Sequence, residues 1–360
     1  MRKLIALAAS LLLACPLMAA DGPATRPLMP TTQPVPPLPF FFIGVWMQPA
    51  KDLKKWKDRG ANVAITDKPK PDNSSRPSYF AAAEAAGMKV VIYPDPAGAA
   101  NDLKHKSFLA WMQGDEPENW GHLQKNADGT FDLPGTTQTY CSIYSTLKQV
   151  SPTTPIYGNF NGMQLTSTRD NRDARKGIIR DDYRNFLCGS DWISGDWYVR
   201  SNGRGPERIA DLQGKMIDML LELSGGQKPA FAYIESCDIR ITSAKNGAAP
   251  TASEMKAQAW VSVIHGAKGI VYFPLKIGGG FVWDATPPEL ATAMTELNRD
   301  LIKYEQYFLK GTRKKDATLE AATWTMPDGS TLSASATFGG GEWVMKIDEK
   351  RKGVESVGVK

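Results

Sequence analysis

The chain has 360 residues, 42% of them hydrophobic, with a formal net charge of +5, which is enough to bury one large core or two modest ones. Its 43 Lys and Arg and 38 Asp and Glu are scattered along the sequence, and no basic stripe interleaved with aromatics marks a nucleic-acid groove. Three histidines and four cysteines, at spacings that fit no zinc pattern, argue against a zinc centre.

The N-terminus runs Met-Arg-Lys, an apolar stretch from Leu4 to Leu13, then "ACPLMAAD". A basic start, an apolar segment too short to span a bilayer and a small-residue exit predict a secretory signal over residues 1–20. The "LLAC" ending at Cys15 also matches a bacterial lipobox, which would make Cys15 a lipid-anchored first residue. Pro16 disfavours that route, and cleavage after Ala19 or Ala20 is the preferred expectation. Either way the protein is expected to be exported, to the periplasm, cell surface or medium, with no membrane span. There Cys141, Cys188 and Cys237 are an odd number, so at least one is unpaired within the chain, and buried thiols are the expectation for them. Residues 21–39, "DGPATRPLMPTTQPVPPLP", lack apolar periodicity and predict an extended, poorly packed tether.

From Phe40 the chain alternates. "FFIGVW" (41–46) predicts a strand, followed by a helix with Leu53 and Trp56 on one face and Gly60 at its end. "NVAITD" (62–67) leads to the helix "SYFAAAEAAGM", and "KVVIYPD" (89–95) to a short, weak helical stretch. "FLAWMQGDEP" (108–117) is the fourth strand, then a helix around "YCSIYSTLKQV", "IYGNFNG" (156–162), a charged insert and "WISGDWYV" (192–199). A helix with Ile209, Leu212, Met216, Leu220 and Leu223 at helical spacing leads to "PAFAYIE" (229–235). One more helix, the strand "GIVYFP" (269–274) and a long helix through Leu290, Met294, Leu297 and Leu301 complete the series.

Eight strands alternating with helices or long loops predict a (β/α)₈ TIM barrel over residues 40–310. Three alternating apolar runs after it, joined by "PDGS" and "FGGGE", predict a small antiparallel β appendage over residues 311–360, whose sheet the chain need not complete.

Function in such a barrel lies at the C-terminal strand ends, here Trp46, Asp67, Asp95, Asp115 with Glu116, Asn159 with Asn161, Asp196 with Tyr198, Glu235 and Phe273. Most of these residues suit any solvated loop. Glu116 and Glu235 stand out because each ends an apolar strand. A carboxylate at the barrel mouth is desolvated and close to others, which splits pKa values into acid and base roles. Oxygen ligands for Mg²⁺ or Ca²⁺ could come from Asp95, Asp115, Glu116 and Asp196, but strand five ends in asparagines, and no metal or other cofactor is expected.

Strand four ending in Glu-Pro and strand seven ending in Glu resemble the clan A glycoside hydrolases, retaining enzymes on TIM barrels. The resemblance implies that Glu116 is the general acid/base and Glu235 the nucleophile, with carboxyls about 5 Å apart. It also implies that Tyr198 matches the tyrosine that hydrogen-bonds the nucleophile, and Phe273 or Trp283 the aromatic after strand eight. The clan's asparagine before the acid is replaced here by Asp115, which adds charge beside Glu116. Trp46, Asp95, Asp115, Asn159, Asp196, Tyr198 and Trp283 are the expected sugar contacts, the tryptophans because a sugar's apolar face packs on an indole. The substrate implied is a polysaccharide or oligosaccharide. An arginine cluster at Arg169, Arg172, Arg175 and Arg180 would suit an acidic sugar, although a solvated loop explains it as well. The competing expectation is a carbohydrate-binding surface protein that keeps this fold without turnover.

Overall fold

The computed structural model describes residues 35, 37–66, 75–95, 98–122, 133–168, 180–239 and 247–352. The expected signal segment, Cys15, most of the tether, Asp67, Arg169, Arg172 and Arg175 lie outside them.

Eight parallel strands close into a barrel in sequence order: β1 (Phe42–Trp46), β2 (Val63–Thr66), β3 (Lys89–Ile92), β4 (Phe108–Asp115), β5 (Ile156–Asn161), β6 (Trp192–Asp196), β7 (Ala230–Glu235) and β8 (Gly269–Phe273). Around them run α1 (Leu53–Asp58), α2 (Arg76–Ala86), α3 (Ala99–Asp102), α4 (Leu133–Val150), α5 (Gly162–Ser167), α6 (Arg180–Phe186), α7 (Lys215–Leu223), α8 (Ala252–Ile264), α9 (Pro288–Lys303) and α10 (Glu305–Lys310). Local signals explain their ends. Ser75 caps the amide of Ser78 at the start of α2, and Gly87 closes that helix in the left-handed region at φ 68°. Thr251 and Glu254 form a reciprocal capping box on α8.

Strand alternation divides two apolar layers. Ile43, Ala64, Val90, Trp111, Ile156, Ile193, Ala232 and Ile270 face the helices, whereas Phe42, Val63, Met112, Tyr157, Trp192, Phe231, Tyr233 and Val271 fill the barrel. Aromatics therefore plug the interior, with the Phe231 ring centroid 4.8 Å from Phe42, 5.7 Å from Tyr157 and 6.1 Å from Trp192. At the N-terminal end Val35, Leu38 and Phe40 pack against this layer, so the last part of the expected tether is packed rather than loose.

A four-stranded antiparallel sheet follows, ordered β12 (Glu342–Lys350), β11 (Thr331–Gly339), β10 (Ala321–Thr325) and β9 (Thr312–Lys315). The charged β9, "TRKK", has no apolar face to betray it in the sequence. Trp324 packs on Phe308 at 5.2 Å, Trp343 Nε1 donates to Pro206 O at 2.8 Å, and Arg313 donates to Ile264 O at 2.8 Å. Buried His265 lies between Asp218 (2.9 Å) and Glu320 (2.6 Å). Burial disfavours its charged form, yet the bonds to those two carboxylates outweigh that and raise its pKa above 6.5.

Cys141 on α4 is disulfide-bonded to Cys188 in the turn after α6, with Cα atoms 5.9 Å apart, and Cys237 is a buried free thiol. Of the three thiols expected, two are thus paired. The bond closes a loop of 47 residues that contains β5 and ends just before β6. By chain entropy Cys188→Ser should lower the unfolding free energy by about 4 kcal/mol; a urea titration showing a loss below about 1 kcal/mol would contradict this role.

Candidate active site

The stretch "WMQGDEPENW" builds one wall of the barrel mouth. Trp111 faces the helices and donates Nε1–H to Asp102 at 2.8 Å. Gln113, also buried, donates to Tyr140 O on α4. The pairing of β4 with β5 then shifts between Met112 and Asp115, and Gly114 adopts φ 123°, a conformation open to glycine and costly for other residues. After this bulge Asp115 pairs with Asn159 as the last residue of β4, and Glu116 follows it directly. Glu116 itself sits at φ 44°, one of two non-glycine residues with positive φ among the described residues. Such strain persists where the surroundings enforce it. Here Glu116 N donates to Asn159 O at 3.0 Å, and Asn119 N donates to Glu116 O at 2.8 Å.

Asn161, at the end of β5, organises the carboxyl groups. Its Oδ1 caps α5 by accepting Gln164 N–H at 2.9 Å, which points its Nδ2 to Glu116 Oε1 at 2.7 Å. Its backbone N–H donates to Glu118 Oε1 at 2.5 Å. Asn119 Nδ2 donates to the other Glu116 oxygen at 2.5 Å. Asn159 donates to Asp115 at 2.8 Å and accepts from Ser194 at 2.7 Å. Asp196 pairs in register with Asn161, accepts Gly162 N–H at 3.3 Å and contacts the Glu116 carboxyl.

Charges so crowded do not all ionise. Burial, then Glu116, Asp115 and Glu118, raise the Asp196 pKa well above the carboxylate range. Burial and Glu116 push Glu118 up to about 8. Burial, Asp196, Asp115 and Glu116 also raise the phenol of Tyr198, whose ring packs on Phe273 at 4.9 Å.

Glu235 shares the inward parity of Phe231 and Tyr233 on β7 and is fully buried. Its carboxylate accepts Ser201 N–H at 2.7 Å, Arg200 N–H at 2.9 Å and Gln258 Nε2–H at 3.1 Å. Burial raises its pKa to about 7 against those bonds. The Arg200 side chain is drawn to Glu254 on α8 at 3.2 Å, so Glu235 and Glu254 together fix the loop after β6.

The opposite wall is aromatic. Trp46 is buried with its ring 5.7 Å from Tyr233, and partly exposed Trp283 meets exposed Phe281 edge-on at 4.6 Å. Gln48 ties the ends of β1 and β8 together by donating to Trp283 O at 2.8 Å. Asp95 is exposed after β3. The Trp120 side chain lies outside the described residues, and Arg180 is engaged with Glu222. Glu118, Asn119, Asn161, Gln258 and Ser201 complete the carboxyl cages. Of these the sequence marked only Asn161, by its place at a strand end. A cavity of about 470 Å³ opens at the other end of the barrel, beside Leu38, Lys228, Lys268 and Lys310, away from this chemistry. Among the described residues no group of three or more His, Cys, Asp or Glu is arranged to hold a metal ion, and no helix is long and apolar enough to cross a membrane.

No protein-family profile matches the chain, and no curated protein matches it. Its fold is shared with solved glycoside hydrolases. A structure described as a glycoside hydrolase aligns at TM-score 0.52 and 11% identity over 83% of this chain and 80% of that one. The β-galactosidases of Marinomonas ef1 (TM-score 0.50, 12% identity) and Halorubrum lacusprofundi (TM-score 0.50, 10% identity) each align over 72% of this chain, covering 59% and 58% of their own lengths. The chain thus spans about three-fifths of each galactosidase.

The raised carboxyls make stability pH-dependent with a definite sign. Glu118 binds its proton more tightly folded (about 8) than at its ordinary 4.5, so it favours the native state fully below pH 4.5, and this contribution is lost as pH rises through about 8. Glu118→Gln should flatten the fall of melting temperature over that range; an unchanged slope would place the titrating group elsewhere.

Proposed function

We propose that the protein is an exported glycoside hydrolase acting on a polysaccharide or oligosaccharide by a retaining mechanism, with Glu116 as general acid/base and Glu235 as nucleophile. The observation that carries the reading is the preparation of Glu116: a strained backbone presents its carboxyl at the mouth, two amides hold both oxygens, and a second carboxyl touches it. Groups arranged this way favour proton transfer at a fixed point. Three donors orient the Glu235 carboxylate at the end of β7, as attack on an anomeric carbon requires. Asp115, Asn159, Asp196 and Tyr198 supply polar contacts for sugar hydroxyls, Trp46 and Trp283 apolar ones, and Asp95 a more outlying polar contact. The signal-like N-terminus supports export, as does the Cys141–Cys188 bond, since disulfides persist in oxidising compartments. The proposed domain limits remain residues 40–310 for the catalytic barrel and 311–360 for the appendage, with Cys15 the residue that a lipid anchor would use.

One observation favours the second reading, a carbohydrate-binding protein without turnover: the Glu235 carboxylate is fully buried and already satisfied by protein donors. The two separate on a panel of polysaccharides and aryl glycosides scored for new reducing ends or released phenol. The enzyme reading predicts turnover that falls about 10²–10⁴-fold in Glu116→Gln, the range for losing a general acid, and comparably or more in Glu235→Gln. Glycan binding with no turnover, unchanged by either substitution, would leave the binding reading.

A further inference from the structure

The loop after β8 starts beside Glu235, because Phe273 and Glu235 pair in register. It doubles back as a narrow hairpin whose neck is the Lys276–Val282 pair, each donating its N–H to the other's carbonyl at 3.0 Å. Gly279 and Gly280 turn the tip at φ 71° and 107°, a region that glycine adopts at little cost. The base is fastened on several sides. Ala285 N donates to Pro274 O at 2.9 Å, and Ile277 N donates to Ile239 O at 2.9 Å. Gln48 donates to Trp283 O at 2.8 Å, while Asp284 pairs with Lys55 of α1 at 2.8 Å and with Arg59 just after it at 2.9 Å. Yet this well-held loop turns apolar side chains to water. Ile277, Phe281 and Val282 are 47%, 53% and 43% exposed, three of the nine large hydrophobic residues that are exposed among the described residues. Apolar residues clustered on the outside of a fixed frame mark a contact surface.

The surface continues the mouth. Trp283 packs on the aromatic layer that fills the barrel, and Phe281, further toward the tip, meets it edge-on at 4.6 Å with ring planes 88° apart. Rings crossed in this way do not cover each other's faces as stacked rings do. An aromatic face is the negative side of its quadrupole, and the C–H groups on the apolar face of a sugar ring, slightly positive, pack against it. Through Gln48 the loop is also tied to the end of β1, where the Trp46 ring lies 5.7 Å from Tyr233, two residues before Glu235. We propose that Phe281, backed by Trp283, is a stacking platform for a second sugar unit, whose neighbour in the chain lies at the carboxyl groups. The platform makes the protein select chains over single sugars. This rests on reading the mouth as a carbohydrate site, and not on Glu116 or Glu235 being catalytic. The anchors fix the loop before a ligand arrives, which spares the ordering cost of binding.

The test is calorimetric titration of the full chain, of Phe281→Ala and of Phe281→Trp with xylo-, cello-, laminari-, manno- and galacto-oligosaccharides, from single sugars to hexasaccharides. In at least one series affinity should rise with chain length. Phe281→Ala should lower the ratio of the longest member's affinity to the shortest's by about 2–10-fold, the worth of one aromatic contact, and Phe281→Trp should keep that ratio. Binding that ignores chain length, a ratio unmoved by Phe281→Ala, or no binding to any series overturns the platform. A concentration-dependent dimer abolished by Phe281→Ala also overturns it, by making the loop a contact between copies of this chain. Length-dependent binding lost in Phe281→Ala, with no new reducing ends, would overturn the hydrolase reading and leave the platform standing. Turnover of an aryl glycoside with the ratio unmoved would do the reverse.

Discussion

A low-dielectric wall cannot hold Asp115, Glu116, Glu118 and Asp196 as four adjacent negative charges, and the mouth of this barrel is arranged around that constraint. Burial and the neighbouring carboxylates push Glu118 and Asp196, the most buried of the four, toward their neutral forms, while amide donors gather on Glu116. The asparagines do this sorting. Asn161 caps α5, holds Glu116 with its side chain and Glu118 with its backbone amide, so one residue ties the start of a helix to two carboxyls.

The scaffold makes this arrangement stable. Aromatic rings fill the barrel below the mouth, so the strand ends rest on a packed plug rather than on water. Glu235 binds the loop after β6 through two backbone amides, and Glu254 holds the same loop through Arg200. The disulfide joins α4 to the turn that leads into β6. Elements at β4, β6 and β7 are therefore fixed by different means: a bulge, a covalent bond and a buried carboxylate.

Periodicity made the barrel legible. All eight strands fall on the short apolar runs, and helix ends follow from signals such as Ser75, Thr251 and Gly87. The appendage's first strand was not legible, because "TRKK" pairs through its backbone and has no apolar face. At the site, strand-end logic reached Asp115, Glu116, Asn159, Asn161, Asp196 and Glu235 because each terminates a strand, follows one directly as Glu116 does, or lies two residues before its end as Asn159 does. Partnerships were not legible. That Asp196 touches Glu116, that Glu118 joins them from a turn, and that Gln258 and Ser201 enclose Glu235 are consequences of packing between segments up to tens of residues apart. The cysteine pairing was hidden for the same reason.

Covalent trapping tests the central claim most directly: incubation with a panel of activated 2-deoxy-2-fluoro glycosides, then peptide mass spectrometry. A retaining hydrolase with Glu235 as nucleophile should gain one fluoroglycosyl group on the peptide carrying Glu235. An adduct on another carboxyl such as Asp196, hydrolysis of the parent sugars with no adduct, or no reaction with any sugar that binds would contradict the account.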